Sequence, residues 1–288
     1  MDPSDPGRFG TLAQVRAWYA EELRAVGPVN SEPVVRAFAI VPRERFLGPG
    51  PWRIRGDHRY DGYRSTPDDD PRHVYHNVLV ALDEGQRINN GSPSLWAYIF
   101  DQLDITRGET ALHLGCGTGY YSAILADLVG GAGHVTALDY DEMRAQQARQ
   151  ALAAWPQVTV EQADGAAFEP GPQDVIVASA GATHPLPAWL AALKPGGRLA
   201  FPLTAKQRGA MLRITRRSEP DRFAAKFLCP AGFTPFVGAR DSGLETRLDT
   251  AFTRGHSDLV CTLRRDPHML DGSCWLHETG FCLSMRPL

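Results

Sequence analysis

Ala111-Leu112-His113-Leu114-Gly115-Cys116-Gly117-Thr118-Gly119-Tyr120 decides how this chain folds. A short strand-forming run meets three glycines spaced by single residues. Residues 120–129 then place Ile124, Leu125 and Leu128 on one helical face. Strand, tight turn and helix in succession are the repeating unit of a parallel sheet. Glycines at such a turn accept positive φ and let the backbone approach a ligand closely.

The alternation continues downstream. Residues 135–138 read as the next strand, and Asp141 as the cap of a helix whose apolar side holds Ala148, Leu152 and Trp155. Residues 158–160 form a third strand, and residues 175–178, apolar throughout, a strand buried on both faces. A helix over residues 187–193 is stopped by Lys194-Pro195-Gly196-Gly197, with a strand at residues 199–201. This spacing predicts an α/β, Rossmann-like sheet with helices on both faces.

Outside that core the patterning differs. Residues 11–23 carry Leu12, Val15, Trp18, Tyr19 and Leu23 at helical spacing, and a second short helix through Val34, Val35 and Phe38 ends at Pro42. Residues 49–76, rich in Gly, Pro, Asp and Arg, read as a long loop or cover. Residues 211–215 and 223–227 extend the sheet with antiparallel strands, and residues 274–277 and 281–284 form a terminal hairpin. The expected division is N-terminal helices and cover loop in residues 1–84, the core in residues 85–240 and a β-rich C-terminal extension in residues 241–288.

Asp139 lies twenty residues beyond Gly119 (139 − 119 = 20), at the end of the second strand, where a carboxylate can accept bonds from both hydroxyls of a ribose. A dinucleotide turn would want glycine at the position of Tyr120, so the compact motif suits a ligand without pyrophosphate. Asp164-Gly165, just after the third strand, supplies a carboxylate for an adenine amino group. Three anchors on successive strand ends describe adenosine without phosphates. The candidate cofactor residues are Ile88, Asn90, Gly115, Cys116, Gly117, Gly119, Tyr120, Asp139, Tyr140, Asp164 and Gly165, with S-adenosylmethionine as the expected cofactor.

A net charge of −3 and a pI near 6.3 create no basic field, so nucleic acid is not an expected partner. The first residues lack the basic start and apolar run of a signal peptide, and no segment approaches the ~20 apolar residues of a membrane span. A cytoplasmic protein with no membrane partner is expected. Five cysteines without a CxxC pair argue against a disulfide framework. His268, Cys274, His277 and Cys282 are metal-ligand types, yet alternate residues of a strand point to opposite faces, so a hairpin without metal is expected.

From about residue 41 to residue 237 the chain resembles the protein-L-isoaspartate O-methyltransferase family. The resemblance rests on Val41-Pro42-Arg43-Glu44-Arg45-Phe46, Gly85-Gln86, the glycine turn, Asp164-Gly165, Leu193-Lys194-Pro195-Gly196-Gly197-Arg198-Leu199 and Phe233-Thr234-Pro235-Phe236-Val237. It implies a class I S-adenosylmethionine-dependent methyltransferase fold and methyl transfer to the carboxylate of an L-isoaspartyl residue in a peptide or protein. The family usually reads Gly-Gln-Thr-Ile-Ser-x-Pro where this chain has Gly85-Gln86-Arg87-Ile88-Asn89-Asn90-Gly91-Ser92-Pro93. Arg87 and Asn89 thus replace hydroxyl residues, and two further residues precede the proline. His113 stands where the family has Asp or Glu, and residues 240–288 have no counterpart in its shortest members.

A carboxylate acceptor is already anionic at neutral pH, so its methylation asks for positioning and partial desolvation rather than a strong base. Asn89, Asn90 and Ser92 offer hydrogen bonds for that task. Asn89, Ser92 and His113 are the candidate catalytic residues, His113 as a base or as a contact to the amino acid end of the cofactor. The altered loop and the extension point to a specialised enzyme that methylates aspartate in a dedicated peptide, where a backbone nitrogen then displaces methanol to form aspartimide. The alternatives are a housekeeping isoaspartate repair enzyme and a non-catalytic cofactor-binding module. A base-amino methyltransferase fits less well, because Ala178-Ser179-Ala180-Gly181 stands where Asp/Asn-Pro-Pro-Tyr/Phe is usual. Residues 49–83 and the extension are the expected acceptor-recognition surface.

Overall fold

A computed structural model describes residues 10–56, 62–219 and 221–288. Helix α1 (Leu12–Val26) opens with a capping box, the Thr11 hydroxyl accepting from Gln14 N–H and the Gln14 side chain accepting from Thr11 N–H. Helix α2 (Glu32–Ile40) is capped by Ser31 and stops ahead of Pro42. Both follow the apolar periodicity of the sequence.

Residues 49–76 hold more structure than a loop. Strands β1 (Arg53–Arg55), β2 (Arg64–Ser65), β3 (Leu79–Asp83) and β4 (Ile88–Asn89) form a small antiparallel sheet in the order β2-β1-β3-β4. Strands this short show no period, so their pairing was invisible in the sequence. The sheet also joins the cover to the expected acceptor loop, since β3 pairs with β4.

The main body then runs α3 (Pro93–Leu103), β5 (Thr110–Leu114), α4 (Tyr120–Val129), β6 (His134–Asp139), α5 (Glu142–Ala151), β7 (Val158–Gln162), β8 (Gln173–Ala178), α6 (Pro187–Ala192) and β9 (Leu193–Thr204). It continues through β10 (Gly209–Arg216), β11 (Phe223–Pro230), α7 (Ser242–Arg254), β12 (Thr262–Arg264), β13 (Cys274–Glu278) and β14 (Phe281–Ser284). These strands make one sheet ordered β13-β14-β12-β11-β10-β9-β8-β5-β6-β7, parallel from β9 to β7 and antiparallel beyond. The chain steps outward from β5 to β6 and β7, then returns to β8 on the other side of β5. That reversal opens a crevice at the carboxyl ends of β5 and β8. Lys194-Pro195-Gly196-Gly197 does not precede the strand as expected but lies inside β9, where the register against β8 shifts.

Two cores flank the sheet. One gathers Trp96, Phe100, Tyr120, Tyr121 and Val135 beneath α1 to α4. The other gathers Leu112, Ile176, Trp189 and Phe201 with Leu248, Trp275 and Leu283 of the C-terminal extension. Only two residue pairs register β12 against β11. Burial of each large apolar side chain contributes roughly 1.5–3 kcal/mol, so core packing rather than that ladder holds the extension in place. No helix among the described residues is long and apolar enough to cross a membrane.

Candidate active site

The glycine turn leaves β5 at the crevice. Gly115, Gly117 and Gly119 all have positive φ, at 71°, 58° and 97°. A Cβ on Gly119 would lie 2.7 Å from Leu152 Cδ1, so glycine is required there by packing as well as by conformation. Around Gly117 a Cβ would meet nothing within 4 Å, which leaves the turn open on its outer side. Thr118 Oγ1 is buried at this turn without a hydrogen-bond partner.

Asp139 ends β6 and is nearly fully buried. Its Oδ2 accepts from Gly117 N–H at 2.8 Å, and its Oδ1 from Asp141 N–H at 3.0 Å and Arg144 Nε at 3.2 Å. A carboxylate offers about four lone-pair positions, so two bonds to a ribose diol require the long Arg144 contact to give way. Tyr140 follows with its side chain largely in solvent, as does Met143 one residue into α5. Such a face suits an adenine ring.

Asp164 lies past β7. Its Oδ1 accepts from Ala166 N–H at 2.9 Å, which fixes the turn. Gly165 lets Phe236 approach, for a Cβ there would sit 3.0 Å from the Phe236 ring. The segment carrying Phe236 crosses the carboxyl ends of the strands: Gly181 N–H donates to Thr234 O, and Phe236 N–H to Gly181 O. Its Gly238 faces the Asp164 carboxylate. Thus the glycine turn, Asp139 and Asp164 stand on successive strand ends along one rim of the sheet.

The loop before α3 packs against the start of α4, the helix that follows the glycine turn. Asn89 Oδ1 accepts from Gly91 N–H at 2.8 Å, and Tyr121 OH donates to Gly91 O at 3.2 Å, tying the loop to α4. Gly91 has φ 78°, and a Cβ there would lie 3.0 Å from Trp96 Nε1. Ser92 occupies the cap position of α3, but its hydroxyl meets Ser94 Oγ rather than the helix backbone, at 3.3 Å. Ile88, half-buried, pairs with Asp83 across the small sheet.

Four sequence assignments are revised here. His113 is completely buried, its Nδ1 2.8 Å from Ser122 Oγ and its Nε2 2.8 Å from Ser179 Oγ. Burial pushes its pKa down to about 3. A neutral imidazole with both nitrogens engaged braces β5 against α4 and the segment after β8; it is not placed as a base. Tyr120 points into the core, its hydroxyl 3.4 Å from that of Tyr19, so only its backbone belongs to the turn. Asn90 is also buried and its Oδ1 accepts from Arg43 Nε, which makes it a support of the loop. Cys116 is packed in the core, and desolvation together with the Asp139 charge raises its thiol pKa.

Sequence reasoning missed Arg43, Arg144, Thr118 and Ser179. Arg43 has no exposed surface and donates to Val74 O, His76 O and Val78 O as well as to Asn90. The run Val41-Pro42-Arg43-Glu44-Arg45-Phe46 was a family signal, but nothing local marks its first arginine as buried. A second cleft, lined by Asp104, Glu109, Arg198, Arg213 and Arg217, opens at the amino ends of the strands and shares no residue with this rim.

Fold and site define a Rossmann-like methyltransferase that binds an adenosyl cofactor. The family model described as "Protein-L-isoaspartate(D-aspartate) O-methyltransferase (PCMT)" matches residues 63–241, and the chain belongs to that family of S-adenosylmethionine-dependent carboxyl O-methyltransferases. It is 34% identical over 230 residues to protein-L-isoaspartate O-methyltransferase 1 of Rhodopseudomonas palustris, covering 78% of this chain and 84% of that protein. It is 30% identical over 219 residues to the protein-L-isoaspartate O-methyltransferase of Ignicoccus hospitalis, covering 75% and 93%. A solved protein-L-isoaspartate O-methyltransferase superposes with TM-score 0.65 at 23% identity, covering 83% of this chain and 69% of the other. A Plasmodium falciparum structure carrying that family name, in complex with S-adenosyl-L-homocysteine, gives TM-score 0.62 at 14% identity, covering 77% and 98%. S-adenosylmethionine is the cofactor of this class. The open glycine turn, the unpartnered Thr118 hydroxyl and the two carboxylates on the rim fit it.

Proposed function

We propose that this chain methylates the free α-carboxylate of L-isoaspartyl residues in proteins or peptides, the reading that the isoaspartate names of its relatives favour over a specialised peptide enzyme. The single structural observation behind it is the pairing of the rim of strand ends with a loop of amide donors, residues 85–93, held rigidly by Gly91 and Asn90. Gly115, Gly117, Gly119 and Thr118 would hold the amino acid portion, Asp139 the ribose, and Tyr140 and Asp164 the adenine. When bound, the cofactor supplies an electrophilic methyl carbon on a sulfonium. The chain's own task is to hold the acceptor carboxylate in line and to shed water around it, with Asn89 and Ser92 as donors.

A second reading retains a specific observation. Arg87 and Asn89 occupy positions of family hydroxyls, and the loop is two residues longer, so an acceptor of different branching, a normal aspartate in a dedicated peptide, has a distinct surface to meet. The test offers the purified chain an isoaspartyl peptide and its aspartyl isomer with S-adenosylmethionine and weighs the products. Methyl ester on the isoaspartyl peptide alone is expected. Ester on the aspartyl isomer alone would establish the second reading. Tight cofactor binding with no ester on either would favour the non-catalytic alternative.

A further inference from the structure

The C-terminal hairpin contradicts the alternation argued from its sequence. In a regular strand Cys274 and His277, three residues apart, would face opposite sides. Here Cys274 pairs with Ser284 while Leu276 pairs with Leu283, so Trp275 is an extra residue on its strand. The bulge changes the phase by one residue and turns Cys274 and His277 to the same face. His277 also sits directly across from Cys282. His268 completes the group from the irregular segment ahead of β13. One donor atom from each of His268, Cys274, His277 and Cys282 lies within 4.8 Å of all the others.

We propose that these four side chains bind a zinc ion that clamps residues 266–274 onto the terminal hairpin. Two thiolates and two imidazoles are a tetrahedral zinc donor set, and four protein ligands leave no open position, which marks a structural rather than a catalytic ion. Around tetrahedral zinc, such donors stand about 3.3–3.8 Å apart. Cys274 Sγ and His268 Nε2 are already at 3.7 Å. Closing the rest of the set needs side-chain shifts of about 1 Å, within rotamer adjustment.

The surroundings support the assignment. His268 Nδ1 is 2.8 Å from the Asp266 carbonyl, which can only accept, so the ring donates there and its Nε2 lone pair points to the group. His277 Nδ1 is buried without a hydrogen-bond partner. Ligation displaces the two thiol protons into solvent, and the resulting site carries no net charge. Phe281, next to Cys282, stacks on His184 in the segment after β8. The clamped hairpin is thereby in contact with the segment that follows β8.

The experiment uses the full chain, purified without chelator or added metal. Metal analysis is expected to find zinc in stoichiometric amount. Cobalt exchanged into the site should show intense visible bands of a tetrahedral ion and thiolate charge transfer. Cys282→Ser should abolish both signals. His268→Gln, at the partly exposed side of the site, should weaken zinc retention against a chromophoric chelator while the variant still binds S-adenosylmethionine. Removing zinc should lower Tm, and restoring it should recover Tm. If the reduced wild-type chain takes up no zinc in a titration, or if intact-mass analysis of the native protein shows a Cys274–Cys282 disulfide instead, the proposal is overturned.

Discussion

Gly117 donates its backbone N–H to Asp139 Oδ2 at 2.8 Å, which joins the glycine turn to the end of the neighbouring strand before any ligand arrives. The turn and the end of that strand are therefore held together by the protein's own hydrogen bonds. Loss of that carboxylate removes a support of the turn and, on the proposed reading, the contact to the ribose.

Asp139→Ala should weaken S-adenosylmethionine binding at least tenfold, since a hydrogen bond to a charged group is worth about 1.5–3 kcal/mol. Arg144→Ala, which frees the Asp139 oxygen that the ribose needs, should bind at least as tightly as the parent chain. Calorimetry on both variants checks the pair. Unchanged affinity in the first, or a tenfold loss in the second, would reverse the assignment of the two residues.

His113 makes the fold sensitive to acid. Its folded pKa, about 3, lies below the ordinary 6.5, so between those values the unfolded chain binds an extra proton. Stability is fully present above pH 6.5 and declines as pH falls toward 3, by at most about 1.4 kcal/mol per unit from this group. Urea unfolding across that window should show a shallower pH slope in His113→Gln. The same variant should keep the shape of the kcat profile around neutrality; loss of a limb there would restore a catalytic role.

Arg43 holds three carbonyls and Asn90 at once. Arg43→Lys cannot span that fork and should cost about 1–3 kcal/mol for each acceptor left unpaired. Because Asn90 leads into the acceptor loop, KM for the acceptor peptide should rise more than Kd for the cofactor. Equal effects on both would remove Arg43 from loop positioning.

Trp275 is buried among Phe227 and Phe252, with ring centroids 5.0 and 5.2 Å away. Trp275→Ala should destabilise the whole chain by about 3–5 kcal/mol in a single unfolding transition. A separate, earlier transition for the extension would show instead that it folds as its own unit.

The alternation of strands and helices from Ala111 to Phe201, the turn at Gly115 to Gly119 and the carboxylates at Asp139 and Asp164 were all legible from residue order, because each depends on local period or on spacing along the chain. The caps at Thr11, Ser31 and Asp141 were set by the same local chemistry. Tertiary structure alone decided the rest. Burial turned His113 from a plausible base into a neutral brace, and it turned Arg43 from one arginine among many into the clamp of the segment that leads into the cover sheet. Desolvation and partner geometry are properties of the packed environment, and nothing in a neighbouring residue announces them. The hairpin shows the limit most sharply: a single bulged residue, Trp275, changed which side chains share a face. Strand phase is inherited from pairing with another strand, so the meeting of His268, Cys274, His277 and Cys282 exists only once the chain has folded.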